Sequence, residues 1–364
     1  MSSPERAAFD KSELAVVLSH YDLGVIESVT DFNRGSRRSP KVGIVCERGK
    51  FLLKRRSIRR AEPDRVHFAH RVQQSLAAFA FPVAKLVVPR EQQHTFLQLG
   101  EHIYEMFTFV PGHAFEKTPA QARSAGAMLA KFHLATERFS PSARRPEPHG
   151  DYHDAPGVRT GLCSLAPRIS LHDSLAGNET ELSDLLKRLL AAYDEASDRV
   201  NGLGFRDFEP CVIHSDWHPG NLLYRRSTVV AVLDYDSVRW STKVVDVANG
   251  ALQFSMCAAG DVASWPPELN QDRFSEFLEG YRRMHALTEL ECKCIPDLMS
   301  EALIAECVPP MTETGSVGRW EGFRVLQMLR RKNDWIAANR DHLRLLAAGA
   351  PDAVQVRPNP KGAV

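Results

Sequence analysis

The stretch 211–236 constrains this chain more than any other. Cys211-Val-Ile leads into His214-Ser-Asp216-Trp-His218-Pro-Gly-Asn221, and Leu222-Leu-Tyr224 follows. Beyond the turn Arg225-Arg-Ser-Thr228, the apolar run 229–233 ends in Asp234-Tyr-Asp236. Short apolar runs bounded by turn residues read as strands, so Asp216 and Asn221 fall on a loop and Asp234 on an adjoining strand end. Two carboxylates and an amide oxygen converging there suit Mg2+, a hard cation that takes few protein oxygens alongside phosphates. A carboxylate left off the metal can accept a proton from an attacking hydroxyl. His-Pro-Gly-Asn alone is a good turn, and a lone Asp-x-x-x-x-Asn would be no more than that. The apolar lead-in and the second strand ending Asp-aromatic-Asp make a plain turn the poorer reading.

Upstream, the first hundred residues read mainly as strands, at 25–30, 41–47 and 51–54, with a hairpin turn at Arg48-Gly49. In the third of these Lys54 shares a face with Leu52, so a lysine occupies a position where a half-buried strand normally carries a hydrophobe. Asp64 is positioned to cap a helix with the stripe Phe68, Val72, Leu76 and Phe79. An extended segment at 83–88 and a hairpin of 95–99 with 102–107 complete a five-stranded sheet. After Pro111-Gly112 the chain turns helical: from Thr118-Pro119, at 179–198, at 273–287 and over 320–346. The interval 140–170, rich in Pro, His, Gly and Arg, reads as a long irregular connection, and 351–364 as a tail.

Composition enters through charge. The formal total of +1 hides a block at 34–71 with 13 basic and 3 acidic residues, so one region handles anions. No run approaches the ~18 apolar residues of a membrane span. The polar start resembles neither a signal nor a transit peptide. Seven scattered cysteines then read as free, buried thiols of a cytoplasmic protein.

His214-Ser-Asp216-Trp-His218-Pro-Gly-Asn221 resembles the catalytic loop of the aminoglycoside phosphotransferase-like kinases, relatives of the protein kinases. Leu233-Asp234-Tyr-Asp236 is similar to their metal-binding strand end, Val245-Asp246-Val-Ala248 to the helix start that follows, Phe51-Leu-Leu-Lys54 to the nucleotide-anchoring strand, and Ile103-Tyr-Glu-Met-Phe107 to the hinge. About residues 20–340 are covered. The resemblance implies an α+β, protein-kinase-like bilobal fold, with a five-stranded antiparallel sheet and one helix in a small N-terminal lobe (1–103). A hinge (104–110), a larger, mainly helical C-terminal lobe (111–350) and a flexible tail (351–364) would follow. It further implies ATP and Mg2+ as cofactors and a small-molecule hydroxyl as acceptor, of homoserine, choline, sugar or aminoglycoside type. Asp216 would accept or orient the hydroxyl proton, Asn221 and Asp234 would bind Mg2+, and Asp236 would be either a further metal contact or a turn acid. Lys54 would hold the α/β-phosphates, Gly35 and Ser36 would cover them, and the backbone of Glu105, Met106 and Phe107 would read adenine. His214 and Asp246 would support the loop.

Two departures stand out. The phosphate-covering loop has only Gly35, and the helix expected to present a glutamate to Lys54 has none inside it. Glu62, His67, His70 and Gln73 are the candidates in its place. The second departure motivates an alternative, a nucleotide-binding pseudokinase scaffold without phosphotransfer. The basic block also invites a nucleic-acid reading, disfavoured because stacking aromatics are not interleaved with it. Arg55, Arg56, Arg59 and Arg60 exceed what a nucleotide needs. For the acceptor, Glu301, Glu306 and Glu313 suit a cation and Arg319, Arg324, Arg330 and Arg331 an anion, so the sequence leaves the choice open.

Overall fold

Strand alternation decides how the N-terminal sheet is used. The computed structural model describes residues 7–32, 38–58, 61–91, 94–137, 139, 152–170 and 178–350, and contacts group the chain into two compact units that are discontinuous in sequence. The first comprises 1–115, 134–146 and 219–239. Its sheet is antiparallel, built from β1 (Ile26–Asp31), β2 (Lys41–Cys46), β3 (Gly49–Arg55), β4 (Leu86–Val87) and β6 (His102–Thr108) in the order β1-β2-β3-β6-β4, with short β5 (Leu97–Leu99) pairing β6 off that path. In the ladder Val42 opposes Leu53 and Leu53 opposes Met106, so these three share a face. With Ile44, Cys46, Leu97 and Tyr104 they form one core under α1 (Lys11–Ser19), which contributes Val17. The opposite parity carries Lys54 and Glu105, direct partners across β3 and β6. A second helix, α2 (Pro63–Ala78), packs Val66 against Ile103 and Phe96.

Also in this unit, β8 (Leu222–Arg225) and β9 (Thr228–Val232) form a two-stranded ribbon. Val232 N–H donates to the Pro82 carbonyl at 2.8 Å and Tyr224 exchanges two backbone hydrogen bonds with His113, which seats the ribbon within the unit.

The second unit comprises 116–133, 147–218 and 240–364. It holds α3 (Pro119–Thr136, up to His133), α4 (Pro156–Ser170), α5 (Glu179–Gly202), β7 (Pro210–Ile213) paired with β10 (Arg239–Thr242, from Trp240), and α6 (Lys243–Ser255). Helices α7 (Gln271–Arg282), α8 (Glu289–Ala305) and α9 (Val308–Thr314) follow, then a hairpin of β11 (Ser316–Val317) with β12 (Trp320–Glu321), and α10 (Gly322–Ala338) and α11 (Arg340–Ala348). From Cys294 to Ala305 every residue of α8 is buried, because α5, α6, α10 and α11 all pack on it; a helix enclosed on all sides is a core helix. Among the described residues no helix is long and apolar enough to cross a membrane.

Several expectations are corrected. The supposed irregular connection contains α4: Val158, Leu162, Leu165 and Ile169 are buried at helical spacing, and Pro156 occupies the first turn, where a missing N–H costs nothing. Helix α2 begins at Pro63 after Glu62, not at an Asp64 cap. Phe79 ends that helix 57% exposed rather than closing its core stripe. Cys163 is exposed, so the thiols are not uniformly buried.

Candidate active site

Lys54 is 4% exposed on a strand whose other face is apolar core. Three carboxylates meet its Nζ: Asp236 at 2.7 Å, Asp234 at 3.2 Å and Glu105 at 3.9 Å. Burial works against the ammonium charge, but Asp234, Asp236 and Glu105 more than offset it, and the lysine pKa lies above its ordinary value. Two residues further on, Arg56 is 3% exposed. It donates from Nη2 to Glu105 Oε1 at 2.8 Å, and forms ion pairs from Nε with Glu105 Oε2 at 2.8 Å and from Nη2 with Asp236 Oδ1 at 2.9 Å. Burial pushes the Glu105 carboxyl up, and Arg56, Lys54 and His70 together hold it well below the usual carboxylate range. For Asp234 too, burial is opposed, by Lys54 and Lys41, and its pKa is lowered.

The ribbon explains how Asn221 and Asp234 come together. Leu222 opposes Val232, and just beyond that pair Leu233 N–H donates to the Asn221 carbonyl at 2.8 Å. The two residues therefore lie at one end of the ribbon, Asn221 closing the turn Pro219–Asn221 and Asp234 at φ 59°. Asp234 keeps 31% of its side chain accessible. An amide oxygen and an accessible carboxylate there are the hard-oxygen donor set that Mg2+ takes. Asp236 does not fit that role. Its two oxygens are occupied by Lys54 and Arg56, so it closes a cation network instead.

In the second unit Asp246 is fully buried at the start of α6. It accepts from the His214 N–H at 2.6 Å and the Ser215 N–H at 2.7 Å, and His133 Nε2 lies 3.2 Å from it. Burial raises the Asp246 carboxyl, yet His133 and these donors hold it below its ordinary value, so a charged carboxylate pins the peptides just before Asp216. His214 is buried against Trp217 and Phe132, and Tyr152 donates to the Ser215 carbonyl at 3.1 Å. Asp216 keeps 30% of its side chain accessible, with His218 Nε2 at 3.6 Å. Glu306, following α8, is half-buried. Burial and the nearby charge of Asp216 push its carboxyl up to about 8, while Gln253, Asn249 and Tyr152 face it.

The resemblance implies that the backbone of Glu105, Met106 and Phe107 reads adenine. Instead these residues sit inside the ladder: Arg56 N–H donates to Ile103 O and Phe109 N–H to Lys50 O, which by alternation turns the groups of 105 and 107 toward β3. Met106 faces Val87 on β4. Glu105 acts through its side chain. Gly35 and Ser36 lie outside the described residues, as do Arg59 and Arg60. Arg56 was missed although it repeats the parity of Lys54. Glu105 had a signal too, since it is the single acidic residue in the strand His102–Thr108, between the apolar neighbours Tyr104 and Met106.

A family model described as the phosphotransferase enzyme family matches residues 34–287. A Deinococcus radiodurans protein described as uncharacterized is 26% identical over 202 residues, 55% of this chain and 52% of the relative, so the chain spans about half the length of the curated relative it matches. Among solved structures, an amicoumacin kinase in complex with AMP-PNP, Ca2+ and Ami is similar with TM-score 0.63 at 14% identity, covering 96% of this chain and 98% of that one. An aminoglycoside phosphotransferase of Alicyclobacillus acidocaldarius gives 0.62 at 16%, covering 94% and 96%. A spectinomycin phosphotransferase in complex with ADP and spectinomycin gives 0.62 at 14%, covering 91% and 98%. At such identities the likeness shows the fold, which is α+β and kinase-like. With Lys54, the Asp216 loop and the Asn221–Asp234 ribbon all inside the matched span, the chain belongs to the phosphotransferase enzyme family.

Proposed function

We propose that this chain is an ATP- and Mg2+-dependent phosphotransferase that moves the γ-phosphoryl group to a hydroxyl of a small metabolite. The observation that carries the reading is the buried Lys54 held among Asp234, Asp236 and Glu105, a cation whose burial makes sense when phosphates arrive beside it. Asp216 accepts the acceptor's proton as the alcohol oxygen bonds to phosphorus and the bond from phosphorus to the β-γ bridging oxygen breaks. Asn221 and Asp234 would hold Mg2+, which supplies neutralisation of phosphate charge. His214 and Asp246 hold the loop, and the lobe assignment 1–103, 104–110 and 111–350 is part of the same proposal. Adenine recognition falls to the backbone beyond Phe109, where the chain leaves the sheet.

On the acceptor, Glu306 beside Asp216 counts for more than the other candidates. Glu301 is committed to His153 and Ser197. Arg324 pairs with Asp261 and Glu321, Arg330 with Asp334, and Arg331 with backbone carbonyls of 263 and 265. With its carboxyl raised to about 8, Glu306 meets an acceptor near neutral pH as a hydrogen-bonding acid and not as an anion, so an uncharged hydroxyl compound is favoured over an anionic one. The test is ADP release from ATP and Mg2+ across a panel of amino alcohols, sugars and hydroxy acids, with Asp216→Asn as control. Turnover lost in the control supports the reading. Turnover indifferent to Asp216, or none with any hydroxyl, favours the scaffold instead.

A further inference from the structure

The resemblance led us to expect a glutamate from the helix as the acidic partner of Lys54, and α2 supplies none. We propose that Glu105, on strand β6, is that partner, and that His70 is the positioning residue through which α2 fixes it. This rests on the reading of Lys54 as the phosphate-holding lysine.

The geometry lies within the first unit. Lys54 and Glu105 oppose one another across β3 and β6, so their Cβ atoms are neighbours by register and need no helix to bring them together. Glu105 is 1% exposed and His70 2% exposed. His70 Nε2 lies 2.6 Å from Glu105 Oε1. Arg56 donates from Nη2 to Glu105 Oε1 at 2.8 Å and its Nε stands at ion-pair distance, 2.8 Å, from Oε2, so Glu105 is a carboxylate and the imidazole nitrogen facing it carries the hydrogen and donates. The second ring nitrogen, Nδ1, meets Thr95 Oγ1 at 2.5 Å, and the ring is held at both ends. Asp236 is nearer to Lys54, but Arg56 shares it, and Asp234 is the ribbon's accessible ligand. Glu105 is the one carboxylate of the three anchored in a central strand, so it fixes where the ammonium stands when Asp234 turns to a metal. His70 touches neither nucleotide nor reacting atoms; it acts through Glu105.

The experiment uses the full chain and a fluorescent ADP with Mg2+, with heat stability measured in parallel. His70→Asn keeps a polar group near Thr95 and falls short of Glu105; His70→Gln reaches Glu105. Loss of one charge-assisted hydrogen bond at the buried carboxylate corresponds to about a tenfold weakening. We expect that loss in the asparagine variant and recovery to within about twofold in the glutamine variant, with the asparagine variant melting below the glutamine variant yet folded at the temperature of the binding assay. Should the asparagine variant not fold, Thr95→Val, which frees the other end of the ring, is expected to weaken binding in the same direction. Asparagine and glutamine variants that bind alike, or a Thr95→Val that binds like wild type in that substitute test, overturn the proposal. A wild-type chain that binds no nucleotide overturns the parent reading instead, and that outcome is visible before any variant is made.

Discussion

Ser215 holds a positive φ of 64° with its side chain 3% exposed. A residue with a Cβ pays about 1–2 kcal/mol in that region, and among the described residues its buried hydroxyl has no partner. What holds the turn is backbone: the N–H on Asp246 and the carbonyl on Tyr152. Ser215→Gly therefore keeps every bond that matters and is expected to raise stability by about 1 kcal/mol with turnover intact, after the flexibility glycine adds to the unfolded chain. Ser215→Val is expected to lose about 2 kcal/mol or more and most activity, read by denaturant melts and ADP release. Glu306 makes a second case. Its carboxyl is raised from 4.5 to about 8, so between those values the folded chain keeps a proton that the unfolded chain has released. Stability from this group falls as pH rises through that window. Glu306→Gln cannot ionise, so its melting temperature should gain on wild type from pH 5 to pH 8.5. Parallel curves would sink the assignment.

At the scale of elements, α3 and α7 approach so closely that each needs a glycine. A Cβ on Gly126 would overlap the Phe277 carbonyl, and one on Gly280 the Arg123 carbonyl. Since the obstacle is backbone, no rotamer change relieves it, and Gly280→Ala is expected to cost about 3 kcal/mol by overpacking. A melting temperature within a degree of wild type would refute this. Neither glycine announced itself in the sequence, because close approach depends on the partner helix. Other elements were legible and overlooked. Asp10 with Glu13 and Thr288 with Glu291 form capping boxes, the Asp/Thr-x-x-Glu pattern that opens a helix, and both α1 and α8 were unread. The strands of the first sheet and the Asn221–Asp234 ribbon were read from alternation and turn residues alone. What that reading lacked was register. Only the pairing of Lys54 with Glu105 reveals that the acid comes from the sheet, and that the backbone of 105–107 is already spent in the ladder.

At the scale of the whole chain, the basic block at 34–71 and the chain's response to ligand are linked. Arg55 is tied to Glu13 and lies over Phe9, and Arg56 is buried with Glu105 and Asp236, so part of the block serves the fold and Lys54 rather than a polyanion surface. A nucleotide that binds only the folded chain stabilises it by about 2.7 kcal/mol at a hundred times its Kd. For a chain of this length that raises the melting temperature by several degrees, at about 2–4 °C per kcal/mol. Heat unfolding with ADP and either Mg2+ or a chelator then separates the two carboxylates of Asp234-Tyr-Asp236. Asp234, accessible at the ribbon end beside Asn221, should carry the Mg2+ increment, and Asp234→Asn should abolish it. Asp236 neutralises Lys54 and Arg56, so Asp236→Asn should lower the ligand-free melting temperature, by leaving buried cations short of a partner, and keep the Mg2+ increment. If Asp236→Asn instead removes the increment while leaving the ligand-free melt unchanged, Asp236 is the metal ligand and the division between the two acids is wrong.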